Sequence, residues 1–251
     1  MLQSIYTALT GMRAQQTRID VVGNNMANIS TTAFKAGRVG FADTLYTQMK
    51  WQDEATGKLL NGTGALVSAT RLVQDQGAGL ITGNPLDFMV DGGGYFTVAG
   101  SDGRVYLTRD GSFKASGYDG ANYLVTADGY FVLGTDNRPI QIPGDASTVA
   151  SDGQGNLYQN GTLFATLQMA GVPNPEGLED AGGNRYQVTA GSGAATAATG
   201  ISVRQGWLEG SNVDMATEIT RLMESQRAYS VLGTAIRTTD EMESTANRLG
   251  E

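Results

Sequence analysis

Neither cysteine nor histidine occurs anywhere in the 251-residue chain. The first absence removes disulfide frameworks and thiol chemistry. The second removes the commonest general base, the commonest metal ligand and every histidine-dependent catalytic triad. Proline is scarce, at 5 residues against 35 glycines, a balance that fits many tight turns rather than disorder. No apolar run is long enough to span a bilayer. Met1 to Gln16 lacks the basic start and unbroken apolar core of a cleaved signal peptide, so the chain is expected to stay in the cytoplasm or to leave by a route that reads something else. Lysine and arginine total 17 against 25 aspartates and glutamates, a formal net charge of −8. Such an acidic surface argues against a nucleic-acid partner and against an anionic membrane.

What the chain does have is a thin apolar stripe at each end. From Asn212 to Leu249, the residues Ile219, Leu222, Tyr229, Leu232, Ile236, Met242 and Leu249 fall mostly three or four apart, on one stripe of a 3.6-residue helix. Ser211 and Asp214 bracket its start as S-x-x-D, close to a capping box, and Gly250 stands where a helix commonly stops. The other faces carry Asp214, Glu218, Arg221, Glu224, Arg227, Arg237, Asp240 and Glu241 with the two signs interleaved. At the N-terminal end, Leu2, Ile5, Leu9, Met12, Gln16, Ile19, Gly23 and Met26 alternate by three and four, which is heptad spacing. A helix of about 37 residues is roughly 55 Å long, more than a globular core asks for. The pattern predicts an α+β protein in which long N- and C-terminal helices make a coiled coil, with a mainly antiparallel β middle region. Seams this narrow are expected to be covered by partner chains. The alternative is that both stripes cover an ordinary core.

Between the helices the signal is β. Short aromatic and β-branched runs stand at Tyr95–Val98, Val105–Thr108, Tyr123–Thr126 and Tyr130–Leu133. Asp102-Gly103, Asp110-Gly111, Asp119-Gly120 and Asp128-Gly129 punctuate them every eight or nine residues, the rhythm of a hairpin meander whose turns need positive φ. Asp152-Gly153 and Asn160-Gly161 extend it. Phe41, Leu45, Tyr46 and Met49 predict a short helical or extended piece, Asp53 to Gly64 a loop, residues 189–200 a surface loop or thin linker, and Val203–Leu208 a last strand. The expected divisions are 1–35, N-terminal helix and motif; 36–65, extended or loop segment; 66–208, β-rich domain; and 209–251, C-terminal helix.

Chemistry finds little purchase. Asp152-Gly153-Gln154-Gly155-Asn156 is a weak match to a calcium loop, with no glutamate at the closing twelfth position. A glycosidase needs two carboxylates on rigid supports, and nothing singles out a pair. Gly92-Gly93-Gly94 is followed by a strand rather than by Gly-Lys-Ser/Thr and a helix, so it reads as a turn or bulge and not as a phosphate cradle. No catalytic residue, cofactor site or metal site is expected.

Several stretches together resemble one family, the axial proteins of the bacterial flagellum, meaning rod and hook. The run Asn24-Asn25-Met26-Ala27-Asn28-Ile29-Ser30-Thr31-Thr32-Ala33-Phe34-Lys35 is similar to its N-terminal motif, NNLAN followed by T-x-G-F-K. Asn84-Pro85-Leu86-Asp87-Phe88, Gly94-Tyr95-Phe96 and Leu107-Thr108-Arg109-Asp110-Gly111-Ser112-Phe113 resemble its central segments. Gly210-Ser211-Asn212-Val213, Gln226-Arg227-Ala228-Tyr229 and Thr238-Thr239-Asp240-Glu241-Met242 resemble its C-terminal signature. Within the family, Phe41-Ala42-Asp43-Thr44-Leu45-Tyr46 resembles the distal rod branch; the proximal rod branch, of similar length, is the alternative, and hook proteins are usually longer. One position departs: Ala33 stands where the family has glycine. If that glycine holds a positive-φ turn, Ala33 is strained there by about 1 kcal/mol.

The resemblance implies a non-enzymatic structural subunit of a helical tube that transmits torque and conducts exported subunits, with the terminal helices on the inner wall. It implies copies of itself, other rod proteins and the hook protein as partners. It further implies export through the flagellar type III apparatus and an extracytoplasmic place in the basal body. A carbohydrate-active enzyme on a β scaffold and an adhesin with coiled-coil stalks are the competing readings.

Overall fold

The computed structural model describes residues 2–44, 46–48, 60–62 and 64–249. The chain is α+β and divides into two compact units. Unit 1 takes Met1–Ala27, Gly37–Val73 and Asp214–Glu251; unit 2 takes Asn28–Ala36 and Gln74–Val213.

Unit 1 is built on two helices, α1 (Leu2–Ala27) and α2 (Met215–Leu249). The N-terminal helix ends at Ala27, inside the expected 1–35 division. The C-terminal helix starts at Met215 rather than Asn212 because Asp214 is its N-cap. The Asp214 carbonyl accepts from the Glu218 N–H, and its carboxylate accepts from the Thr217 N–H and hydroxyl, satisfying donors that the first turn leaves open. Ser211, expected to open a capping box, instead accepts from the Val213 N–H at 3.3 Å.

The two helices run antiparallel and pack on each other. Gly11 faces Leu232, where an added Cβ would lie 3.3 Å from Leu232 Cδ1, Arg18 pairs with Glu224, and Asn25 bonds Glu218. The expectation that neither seam finds cover inside the chain is therefore corrected: each helix covers part of the other. Beside them, β1 (Gly37–Asp43), which contains Phe41, pairs antiparallel with β4 (Ala65–Leu72), while β2 (Tyr46–Gln48) pairs with β3 (Leu60–Gly62). The β1–β4 register shifts between Gly40 and Phe41, a bulge. Leu45, Met49 and residues 53–59 and 63 of the expected loop lie outside the described residues.

Unit 2 carries the antiparallel β structure. Its strands include β5 (Gly79–Ile81), β6 (Phe88–Asp91), β7 (Gly94–Ala99) and β8 (Val105–Thr108). In the ten-stranded sheet, β7 is central: β8 lies on one side, and Phe131–Val132 and Met169–Gly171 lie on the other. A separate three-stranded sheet joins Val149–Ser151, Asn156–Gln159 and Thr162–Thr166. Phe88, Val90, Phe96, Val98, Phe113, Leu124 and Val132 fill one core, with Phe96 and Phe113 edge to face at 5.1 Å.

The turn chemistry holds at Asp119-Gly120 and Asn160-Gly161, where both residues have positive φ, as a two-residue hairpin loop needs. Asp110-Gly111 is different. Gly111 has no positive φ; a Cβ there would sit 1.8 Å from the Phe88 carbonyl oxygen, so this glycine permits a close backbone crossing. Residues 189–200 are not a linker: Ser192 is fully buried and Thr196–Ala197 pairs with Met169–Gly171. The expected last strand is two, Ser202–Gln205 on β6 and Trp207–Glu209 on β5, broken at Gly206 with φ +73°.

Candidate functional site

On α1, the deeply buried residues are Ala14, Val22 and Asn25. At about 100° per residue Ala14 and Asn25 lie across the helix from the centre of the Ile5–Met26 stripe, and Val22 lies at its edge, about 40° from Met26. On that stripe Leu9 is exposed and Ile5, Met12, Ile19 and Met26 are half-buried. On α2, Leu222, Leu232 and Ile236 are half-buried, whereas Ile219, Tyr229 and Met242 are exposed. Met215, Ile219 and Met223, four residues apart, form an exposed ridge beside the packed face. Leu2 and Leu249 belong to the helices, but their side chains lie outside the described residues.

Charge sits inside this helix pair, which the spacing did not show. Glu218, placed on the solvated face by the sequence pattern, is 3% exposed. Its carboxylate accepts from Asn25 Nδ2 at 3.1 Å and from Arg221 at 2.5 Å. Asn25 also bonds both ways with Gly37, its Oδ1 accepting from the Gly37 N–H at 2.8 Å and its Nδ2 donating to the Gly37 carbonyl at 2.9 Å. A glutamate on a polar face is ordinarily solvated, and its burial could be inferred only once Asn25 was known to stand opposite.

The N-terminal motif divides in function. Asn24 and Ala27 are exposed, and Asn28 is half-buried, its side chain accepting from the Thr31 hydroxyl at 3.1 Å. Ala33 is fully buried with φ +55°, the left-handed conformation that a glycine would adopt freely, and its N–H donates to the Glu209 carbonyl at 2.8 Å. Phe34 is half-buried. In the C-terminal motif, Gln226, Arg227 and Tyr229 are exposed and Ala228 is half-buried.

Lys35 enters a buried charge cluster in unit 2. Lys35 Nζ donates to Glu209 Oε1 at 2.5 Å and to the Asp75 carbonyl at 2.7 Å. Arg109 reaches the other Glu209 oxygen at 3.3 Å and the Gly92 carbonyl at 2.7 Å, and its guanidinium lies 5.0 Å from the Tyr95 ring centre. The Gly77 N–H completes the Glu209 shell at 2.9 Å. Lys35 and Glu209 side chains are wholly buried. Burial pushes the Lys35 ammonium below the usual lysine range, against the opposing pull of Glu209. Burial likewise raises the Tyr95 and Tyr186 hydroxyls. The cluster draws Asn28–Ala36, β7, β8 and the strand ending at Glu209 to one point, with Asn212 Oδ1 capping the Ala36 N–H at 2.8 Å. Arg109 and Asn212 lie in motifs legible in the sequence; Glu209 carries no signal of its own.

Nothing here is arranged for bond-making chemistry. Asp152, the head of the weak calcium-loop match, accepts from the Gln154 and Asn156 N–H groups, Asn156 Nδ2 and the Tyr158 hydroxyl, so it closes a turn. The organised features are a helix pair with exposed apolar side chains and a buried charge cluster inside unit 2.

Residues 5–35 match the family described as flagella basal body rod protein, residues 89–159 the flagellar hook protein FlgE/F/G D1 domain, and residues 204–249 the flagellar basal body rod FlgEFG protein C-terminal family. The chain is 35% identical to the flagellar basal-body rod protein FlgG of Bacillus subtilis, covering 96% of this chain and 97% of that protein. It is 37% identical to FlgG of Agrobacterium fabrum over 98% and 99% of the two chains. The FlgG of Borreliella burgdorferi is 34% identical over 99% of each. Both ends, the β region and nearly the full length agree with one family at these levels of identity: the chain belongs to the flagellar basal-body rod proteins.

Proposed function

We propose that this chain is a structural, non-enzymatic subunit of the flagellar basal-body rod, in its distal part. It self-assembles there into a helical tube that transmits torque and conducts exported subunits. The observation that carries the reading is the apolar surface left over after α1 and α2 have packed on each other: Leu9 on one helix and Met215, Ile219, Met223 and Met242 on the other. Covering one such side chain is worth about 1.5–3 kcal/mol, and the same contact recurs in every subunit of a heterologous, non-closing array. In this proposal Leu2, Ile5, Leu9, Met12, Ile19 and Met26 meet Ile219, Leu222, Tyr229, Leu232, Ile236, Met242 and Leu249 of the same or neighbouring subunits in a coiled-coil-like inner layer. Other rod proteins and the hook protein bind the ends of the array, and the flagellar type III apparatus exports the chain to its extracytoplasmic place.

The test is to delete the coding segment in the source bacterium, isolate basal bodies and image them. Rods truncated before the hook, restored by the intact chain but not by one lacking residues 215–249, are expected. Full-length rods in the deletion strain would overturn the proposal.

A further inference from the structure

Unit 1 holds a pocket of 290 Å³ between α1, β1 and α2. Val21, Val22, Val39 and Phe41 give it an apolar lining, and Arg18, Arg38, Arg221 and Glu218 line it with charge. Phe41 is 43% exposed, unusual for a phenylalanine in a strand. Two of the arginines are occupied, Arg18 by Glu224 and Arg221 by Glu218. The Arg38 side chain makes no hydrogen bond or ion pair among the described residues, and the residue is exposed. A chain of net charge −8 thus keeps an unspent cation beside a partly apolar pocket.

The far end of the helix pair carries the complement. Gly11 faces Leu232 and Asn25 faces Glu218, so residue numbers across the pair sum to about 243. The first residue of α1, Leu2, therefore stands level with Glu241. Residues 242–249 continue α2 about 12 Å beyond that level. Met242 is 59% exposed there. Asp240, Glu241 and Glu243 stand against two cations, Arg248 and Arg237, the latter one turn before Glu241. At about 100° per residue Met242 lies about 90° around the helix from the face that packs on α1, and Glu241 about 100° further round.

We propose that Met242 of one copy plugs the Val21–Val39–Phe41 pocket of a second copy, with Glu241 paired to that copy's Arg38. This inference rests on the rod-subunit reading and specifies which surface meets which. Methionine suits an irregular apolar socket, and the charge match fixes which chemistry enters it. Plug and socket are different surfaces at opposite ends of the helix pair, so the contact is heterologous and does not close on itself. Met242 and Arg221 are 21 residues apart on one helix, so successive copies joined this way are displaced by about 32 Å along the helix axis.

The absence of cysteine makes the test clean. A full-length chain carrying Arg38→Cys and Met242→Cys is expressed in motile cells, its rods are isolated, and a short bifunctional maleimide is added. A ladder of dimers, trimers and higher multimers is expected from the double variant, whereas each single variant stops at dimers. Normal rods that give no ladder overturn the inference while leaving the rod reading intact; full-length rods in cells lacking the chain overturn the rod reading itself. A second arm covers a cysteine variant that fails to assemble. Arg38→Glu is expected to cut the yield of sedimentable polymer about tenfold with an unchanged melting curve, and adding Glu241→Arg to restore it. An unaffected yield, or no restoration, also overturns the inference.

Discussion

Replacing Glu209 by glutamine keeps the shape of the side chain and removes the one anion among Lys35, Arg109 and Glu209. The carboxylate holds Lys35 at 2.5 Å and Arg109 at 3.3 Å, and both partners lie inside unit 2. Taking one partner from a buried ion pair costs about 3–5 kcal/mol, because the remaining charge stays desolvated. Lys35 has one escape, shedding its proton. From the ordinary value of 10.5 to pH 7, at about 1.36 kcal/mol per unit, that route costs about 4.8 kcal/mol at most, and less because burial already lowers the group. A loss of about 3–5 kcal/mol is therefore expected from Glu209→Gln. Lys35→Met should be milder, about 1–3 kcal/mol. It leaves Arg109 and Glu209 matched one to one, and the Asp75 carbonyl keeps its bond from Asn212 Nδ2 at 3.0 Å. The assay is urea unfolding of the full chain in a Trp51→Phe background, so that Trp207, two residues from Glu209, is the sole fluorescent reporter. If Lys35→Met proves as damaging as Glu209→Gln, the cluster is not held by its carboxylate and the reasoning fails.

Ala33→Gly relieves about 1–2 kcal/mol of left-handed strain but loses a buried methyl worth about 0.8 kcal/mol and adds unfolded-state freedom worth about 0.4–1 kcal/mol. Unfolding midpoints should therefore barely move, whereas Ala33→Val should cost about 2 kcal/mol or more. Gly111→Ala places a Cβ 1.8 Å from the Phe88 carbonyl oxygen; the crossing must open, and a loss above about 3 kcal/mol in the same urea assay is expected. Bonds from the Thr217 side chain and N–H hold the Asp214 carboxyl below its ordinary 3.8. The cap's contribution is thus present above pH 3.8 and lost as pH falls through the folded value. Circular dichroism between pH 5 and 2 should show α2 fraying over that window, and Asp214→Ala should abolish the pH dependence without abolishing the helix.

Much of this protein is written locally. Helix periodicity places α1 and α2 to within three residues, since a 3.6-residue repeat survives without knowledge of what lies opposite. Asp119-Gly120 and Asn160-Gly161 announce their turns because positive φ is a property of the residues themselves. The likeness of residues 24–35 to a rod motif points to the family without reference to any contact. What a residue faces is another matter. Asp110-Gly111 has the same two letters as the true turns but serves a crossing with Phe88, 23 residues away in sequence. Glu218 has the spacing of a solvated charge and is buried by Asn25. Glu209 looks like any strand-end carboxylate until Lys35 and Arg109 arrive from 174 and 100 residues away. The stripe Ile5–Met26 reads as the seam of α1, yet Ala14, Val22 and Asn25 are the residues most deeply buried on that helix. Backbone conformation follows from a residue and its near neighbours, so sequence determines it; burial and charge pairing follow from which distant segment closes over a site, so only the tertiary structure decides them.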